Sequence, residues 1–374
     1  MDHIPFWHPA WIEINLAQFK QNLQVIRRFV GDCRLCLPVK ANAYGHGLVA
    51  IARAAVEARV DYLAVSCLQE GVLLREAGID RPILVLGAIH ENQIGELIRQ
   101  DLEFTLSSRY KAELAARKSA ELQRSCRVHV EVDTGMQRTG VRPETAVELL
   151  DYLYGAGCFQ VVGVYSHLAT ADDPHSEFAR VQIAAFRGFI QDWVLKAGRR
   201  PLIHLANSGG VCNFPESHLD MVRPGLLAFG YFPGATDPRL AGIAPFFAVK
   251  AKISYFKVVG PGQGIGYGHT HTTRRETRIV TIPVGYGDGF RRALSNRGSV
   301  LIRGRRYPIV GNVCMDQCMV DIGQDEAYVG DEVTLVGRDG AEEVSLGEMA
   351  ELCDTIPYEI LCGFNDRLPR IYLP

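Results

Sequence analysis

Between residues 35 and 230 short apolar runs recur eight times, separated by longer segments whose apolar residues fall three and four positions apart. The runs are Leu35–Val39, Tyr62–Ser66, Ile83–Gly87, Phe104–Ser107, Val128–Asp133, Val161–His167, Leu202–Asn207 and Met221–Gly230. The intervening segments include Leu48–Ala58, Gln69–Ala77, Asn92–Gln100, Arg109–Leu122, Pro143–Tyr154 and Glu177–Ala197. Their spacing predicts amphipathic helices, and strands that alternate with helices join through right-handed parallel crossovers. Eight such units in this length fit a (β/α)8 barrel, with an open doubly wound sheet as the alternative.

After the turn-rich stretch Phe232–Pro238 the pattern changes. Strands are expected at Phe247–Val259, Arg278–Pro283, Ser299–Ile302, Tyr307–Val310, Cys318–Asp321 and Glu332–Val336, with a helix at Ser345–Cys353. The fold class is therefore α/β: a TIM-like barrel over residues 1–235 followed by a mainly β domain over residues 236–374. An N-terminal strand at residues 11–15 precedes the barrel and is free to pair with the β domain.

Charge and composition narrow the partners. Forty basic and 42 acidic residues leave a net charge of −2 with no long run of either sign, which argues against a nucleic-acid or anionic-membrane surface. The first residues lack the basic, apolar and small-residue succession of a secretory signal, and no stretch is apolar enough to span a bilayer, so a cytoplasmic location is expected. Ten scattered cysteines read as free thiols. Cys33 and Cys36 form a lone C-x-x-C without a second pair, and His269 and His271 have no carboxylate beside them, so no metal is expected. The glycine-rich Gly260–Gly268 segment leads into polar residues and a strand, which is the wrong setting for a dinucleotide loop.

In a barrel, whatever stands at the carboxyl ends of the strands converges on one mouth. Lys40 and Tyr44 follow the first run, Arg138 the fifth, His167 ends the sixth, Asn207-Ser208-Gly209-Gly210 follows the seventh, and Arg223 and Gly225 belong to the eighth. Each taken alone has an ordinary structural explanation, such as an ion-paired strut, a core histidine or a turn. Together they form a cationic basin with one potential nucleophile, Lys40, and glycine backbone that could approach a phosphate.

Ordered segments carry a family resemblance: Val39-Lys-Ala-Asn-Ala-Tyr-Gly-His-Gly47, Val132-Asp-Thr-Gly-Met-Gln-Arg-Thr-Gly140, Tyr165-Ser-His-Leu-Ala-Thr-Ala-Asp172, Val222-Arg-Pro-Gly-Leu226, Gly266-Tyr-Gly268, Ile282-Pro-Val-Gly-Tyr-Gly-Asp-Gly289, Gly311-Asn-Val-Cys-Met-Asp-Gln317 and Tyr358-Glu359. Over essentially its full length the sequence resembles bacterial alanine racemase. The resemblance implies pyridoxal phosphate held by Lys40, with cofactor contacts from Tyr44, His167, Asn207, Ser208, Arg223, Gly225, Leu226 and Tyr358. Arg223 would face the pyridine nitrogen. It further implies a homodimer with shared sites, interconversion of L- and D-alanine for peptidoglycan, Lys40 and Tyr267 as the two bases, and Arg138, Met315, Tyr286 and Asp316 around the substrate. Tyr267 and Met315 would come from the second subunit.

One position departs from the family pattern. Glu131 stands where the family often carries a carbamylated lysine, and its carboxylate is expected to orient Arg138 directly. Alternatives are a racemase of wider amino-acid range, a decarboxylase on the related barrel, or a non-catalytic pyridoxal-phosphate carrier. An acidic partner for the pyridine nitrogen, expected of the decarboxylase, is replaced here by Arg223, and the carrier would lack the β domain.

Overall fold

A computed structural model of the chain describes residues 8–233 and 237–374. Residues 1–7, read above as lacking a targeting segment, and residues 234–236 of the turn-rich stretch lie outside the described residues. The chain divides into two compact units.

The first unit, Ala17–Ala43 with Leu48–Pro245, is a closed barrel of eight strands. After an N-terminal strand β1 (Ala10–Asn15), the barrel strands are β2 (Arg34–Pro38), β3 (Tyr62–Val65), β4 (Ile83–Val85), β5 (Glu103–Leu106), β6 (Cys126–Glu131), β7 (Phe159–Tyr165), β8 (Leu202–His204) and β9 (Met221–Val222). Neighbours pair in parallel, and β2 closes on β9 through Arg34 opposite Met221 and Leu35 opposite Val222. The apolar runs form strands because both faces are covered: Leu63, Ala64, Ile83, Leu84 and Phe104 have no exposed surface. The helix Arg109–Leu122 starts where the Ser108 hydroxyl accepts from the Lys111 amide at 3.3 Å and stops at left-handed Gln123.

Some expectations need correcting. The eighth strand is only Met221–Val222: Arg223 follows it rather than opening it, Pro224 cannot donate to a ladder, and Leu226–Phe229 are buried in turns. His167 lies beyond β7, which ends at Tyr165. Asn207-Ser208-Gly209-Gly210 is no loop; Asn207 caps a short helix, Ser208–Asn213.

Among the described residues the second unit comprises residues 8–16, Tyr44–Gly47 and Phe246–Pro374. Its main sheet runs in the order Arg305–Pro308, Ser299–Ile302, Glu332–Asp339, Phe247–Lys252, β1 and Arg370–Leu373. β1 is antiparallel to Phe247–Lys252 and parallel to the C-terminal strand. The single strand expected at Phe247–Val259 breaks into two; the second half, Tyr255–Val259, joins a separate sheet with Thr277–Ile282 and Cys318–Gly323. Tyr44–Gly47 belongs to this unit rather than to the barrel for a steric reason: a Cβ on Gly45 would meet the Leu361 carbonyl at 2.4 Å, and Arg370 donates to the Gly45 carbonyl at 2.8 Å.

Candidate active site

Lys40 leaves the carboxyl end of β2 half-buried, and the chain after it adopts an uncommon shape. Ala41, Asn42, Ala43 and Tyr44 have φ of 53°, 53°, 52° and 51°, one turn of left-handed backbone built without glycine. Such a conformation costs roughly 1–2 kcal/mol per L-residue, so something must hold it. The Glu70 carboxylate accepts from the amides of Ala41 at 2.6 Å and Ser66 at 2.8 Å. Asn42 Oδ1 accepts from the Leu48 amide at 2.7 Å, and Ala43 donates back to the Val39 carbonyl at 2.8 Å.

Across the barrel end, Arg223 is almost wholly buried and fully committed on one edge. Its guanidinium donates to His204 Nδ1 at 2.7 Å, to the Ser166 carbonyl at 2.7 Å and to the Leu205 carbonyl at 3.2 Å. Among the described residues no acceptor takes its Nε–H. His167 stands 3.5 Å from the same guanidinium, and burial, then the charges of Arg223, Arg138 and Lys40, push its pKa down to about 3. Burial and these neighbouring cations all favour the neutral imidazole.

Ser208, buried at the head of its short helix, accepts from the Leu227 amide at 3.2 Å and so ties the seventh and eighth barrel loops together. Asn207 supports it, accepting from the Gly210 amide at 2.9 Å and donating to the Leu168 carbonyl at 3.1 Å. Gly225 and Leu226 are buried in the adjoining turn. A Cβ on Gly209 would meet the Ala171 carbonyl at 2.6 Å, which explains that glycine by packing alone.

Glu131 is buried at the end of β6, and desolvation, partly offset by a Thr139 hydrogen bond and the charges of Arg223 and Arg138, raises its pKa. Arg138 rides on the next loop, whose turn is set by Asp133 accepting from the amides of Gly135 at 2.8 Å and Gln137 at 3.2 Å. Arg138 is exposed, and no ion pair joins it to Glu131 in this structure.

In the second unit Tyr267 is 76 % exposed and Met315 54 % exposed. Their loops are laced together: Asn312 donates to the Tyr267 carbonyl at 2.7 Å, and the amides of Tyr286 and Gly287 donate to the carbonyls of Cys314 at 3.0 Å and Met315 at 2.8 Å. Arg367 bridges Asp316 at 2.8 Å and the fully buried Asp288 at 3.1 Å, clamping both loops. Tyr44 and Tyr358 pack with ring centroids 5.9 Å apart. Glu70, Asp288 and Arg367 escaped the sequence reading because their partners are backbone amides or residues distant in sequence. Among the described residues no helix is long and apolar enough to cross a membrane.

A half-buried lysine just beyond the first strand of an eight-stranded barrel, with a buried arginine just after the last strand, marks a barrel built for lysine chemistry. Family models agree over nearly the whole chain: residues 14–233 match the alanine racemase N-terminal domain and residues 246–372 its C-terminal domain. The alanine racemase of Symbiobacterium thermophilum is 43% identical over 366 residues, 97% of each chain, and that of Methanococcus maripaludis 38% identical over 370 residues, covering 98% of this chain and 99% of its own. The crystal structure of alanine racemase from Streptomyces lavendulae superposes with a TM-score of 0.93 at 34% identity, covering 99% of this chain and 98% of its own. That from Bacillus anthracis with bound L-Ala-P gives 0.91 at 34% identity, covering 99% and 96%. The chain belongs to the alanine racemase family, which uses pyridoxal phosphate.

Proposed function

We propose that this racemase works by a two-base mechanism in which Lys40 and the Tyr267 of a second copy of the chain act on opposite faces of alanine. The residues present fit pyridoxal phosphate. The unclaimed Nε–H of buried Arg223 suits a pyridine nitrogen, which needs a donor, and guanidinium gives a hydrogen bond without surrendering its proton. Ser208 and the backbone of Gly225 and Leu226 are assigned to the phosphate, with Asn207 supporting Ser208, and Tyr44 and Tyr358 as further phenolic donors. His167, neutral beside Arg223, is assigned to packing and hydrogen bonding against the cofactor.

When bound, the cofactor supplies the conjugation that makes loss of the alanine Cα proton feasible. The chain's own residues then do the rest. Lys40, whose amine anchors the cofactor at rest, takes or returns the proton on one face. The Tyr267 phenol does so on the other. Arg138, Tyr286 and the Met315 amide are assigned to the substrate carboxylate, with Asp316 beside them held by Arg367, and Glu131 supports Arg138. The division expected at residues 235/236 shifts accordingly: the barrel unit, Ala17–Ala43 with Leu48–Pro245, acts as the cofactor-binding domain, while the β unit completes the site of the other subunit in a homodimer. All ten cysteines are free thiols, which supports a reducing cytoplasm as its setting.

The observations that support the mechanism are Lys40 just beyond the carboxyl end of β2, followed at once by a left-handed turn, and the buried Arg223 just beyond β9 with His167 at 3.5 Å. The test is to incubate the purified protein with L-alanine in deuterium oxide and follow Cα exchange and chirality together. Deuterium entering both enantiomers as rotation decays to zero is expected; exchange with complete retention of the L form would overturn the two-face reading. Running L-serine in parallel reads the substrate range.

A further inference from the structure

Arg223 is the visible end of a polar chain that runs through the barrel core. His204, which accepts from Arg223, presents Nε2 to His129 Nδ1 at 3.1 Å. His129 Nε2 in turn lies 2.7 Å from Glu103 Oε2, and Glu103 pairs with Arg127 at 2.5 Å. Glu103, His129 and His204 have no exposed surface, whereas Arg127 is partly exposed. Burying three such groups is costly unless every link is satisfied.

The links have only one self-consistent proton order. A guanidinium donates and cannot accept, so His204 Nδ1 must offer its lone pair. The His204 proton therefore sits on Nε2 and goes to His129 Nδ1; the His129 proton sits on Nε2 and goes to Glu103. Both imidazoles are neutral, and the Glu103 carboxylate stands between Arg127, which it pairs directly, and Arg223, which it meets through two oriented rings. Burial, and then Arg223, also hold the His204 pKa well below that of a free imidazole. Tyr165 covers the chain, stacked on His204 at 4.8 Å and 15°.

Space for the rings comes from the opposite strand. β7 carries an irregularity where Val128 pairs with Val161 but His129 pairs with Gly163, and a Cβ on Gly163 would lie 2.3 Å from His129 Nδ1 and 3.1 Å from His204 Nε2. The glycine at this site has no positive φ to explain it; what it provides is room for the imidazole pair.

We propose that Glu103, His129 and His204 are positioning residues that lock the orientation of Arg223 from the far side of the barrel, with Gly163 as the gap that admits them. This rests on the reading of Arg223 as the donor to the pyridine nitrogen. The lock acts by keeping a lone pair on His204 Nδ1, which ties Nη1 and leaves Nε–H for the cofactor.

The test uses the full-length holoenzyme labelled with ¹⁵N in histidine and arginine. Two-bond ¹H–¹⁵N couplings are expected to show both His129 and His204 as neutral Nε2–H tautomers. Glu103→Gln, whose amide oxygen can still accept from His129, is expected to retain that pattern. Glu103→Ala removes the acceptor at His129 Nε2 and is expected to release the ring pair from its orientation, speed hydrogen exchange at Arg223 Nε and weaken cofactor binding about tenfold, the scale of one lost hydrogen-bond link. Gly163→Ala, which keeps Glu103, is expected to do the same and stands in if Glu103→Ala fails to fold. A protonated or Nδ1–H imidazole in the wild type, or unchanged Arg223 exchange and cofactor affinity in the cut variants, would overturn the proposal. The tautomer result is independent of turnover, so a protein that keeps the Nε2–H pattern but fails to racemise alanine would refute the proposed function and leave the chain intact.

Discussion

Replacing Glu70 with alanine probes how Lys40 is aimed. The turn at residues 41–44 holds four non-glycine residues at φ near 50°, a strain of roughly 4–8 kcal/mol in total at the usual cost per residue. Glu70 is the one side chain that grips its first peptide, and its two oxygens take separate amides, Ala41 and Ser66. Charge-assisted hydrogen bonds of this kind are worth roughly 1.5–3 kcal/mol each when shielded. Water can partly replace the carboxylate at this half-exposed position, so about 2 kcal/mol for the pair is the expected loss. For a unit of this size that corresponds to a fall in Tm of about 4–8 °C. Glu70→Gln should be no rescue, because turning one oxygen into an NH₂ group sets a donor against a donor. Hydrogen exchange read by mass spectrometry should accelerate at amides 41–48 in both variants, with kcat falling as Lys40 loses its direction. Unchanged exchange at those amides in Glu70→Ala would refute the claim that Glu70 holds the turn.

Further outcomes follow from the same geometry. Glu131 has a raised pKa, so its contribution to stability is present in acid and lost as pH rises through that pKa; Glu131→Gln should match the wild type in Tm near pH 4 and exceed it increasingly toward pH 7, while a constant gap would contradict the burial argument. The same variant should raise KM for alanine if the charge helps to place Arg138, and an unchanged KM would remove that role. Tyr267→Phe should cut racemisation by about 10²–10³ while one enantiomer keeps exchanging its Cα hydrogen with deuterium oxide; loss of exchange from both enantiomers would argue against separate bases. Arg367→Ala frees Asp316 and strands the buried Asp288, so KM should rise more than kcat falls, with some loss of stability; a pure kcat effect would place Arg367 elsewhere in the mechanism.

The barrel was legible because strands covered on both faces must be continuously apolar, and runs such as Tyr62–Val65 and Ile83–Val85 carry that signature without interruption. Run length was misleading where burial outlasts the strand: Leu226–Phe229 are as buried as β9, yet they turn around Gly225 instead of extending. Phe247–Val259 looked like one strand because Ile253 is apolar, although the chain changes sheets there. Lys40 and the Asn207-Ser208 pair stood out as polar residues ending apolar runs, and Arg223 as the one charge within the eighth. The left-handed turn did not, since Ala-Asn-Ala-Tyr is an ordinary helical tetrapeptide and its shape is held by bonds to residues outside it, Glu70 on the Ala41 amide and Leu48 on the Asn42 side chain. Glu103, His129 and His204 each interrupt or end an apolar strand at an inward position, but only closure of the barrel brings the three into line.

The central claim is that Lys40 and Tyr267 from different chains flank one substrate. Lys40→Ala and Tyr267→Phe proteins, each nearly inactive, can be mixed in equal amounts, dissociated and reassembled. If each site draws its two bases from two chains, half of the dimers are hybrids with one intact site, and racemase activity should return to about a quarter of the wild-type level, as two-fold symmetry requires. Activity that stays at the level of the separate variants after verified subunit exchange would contradict the account.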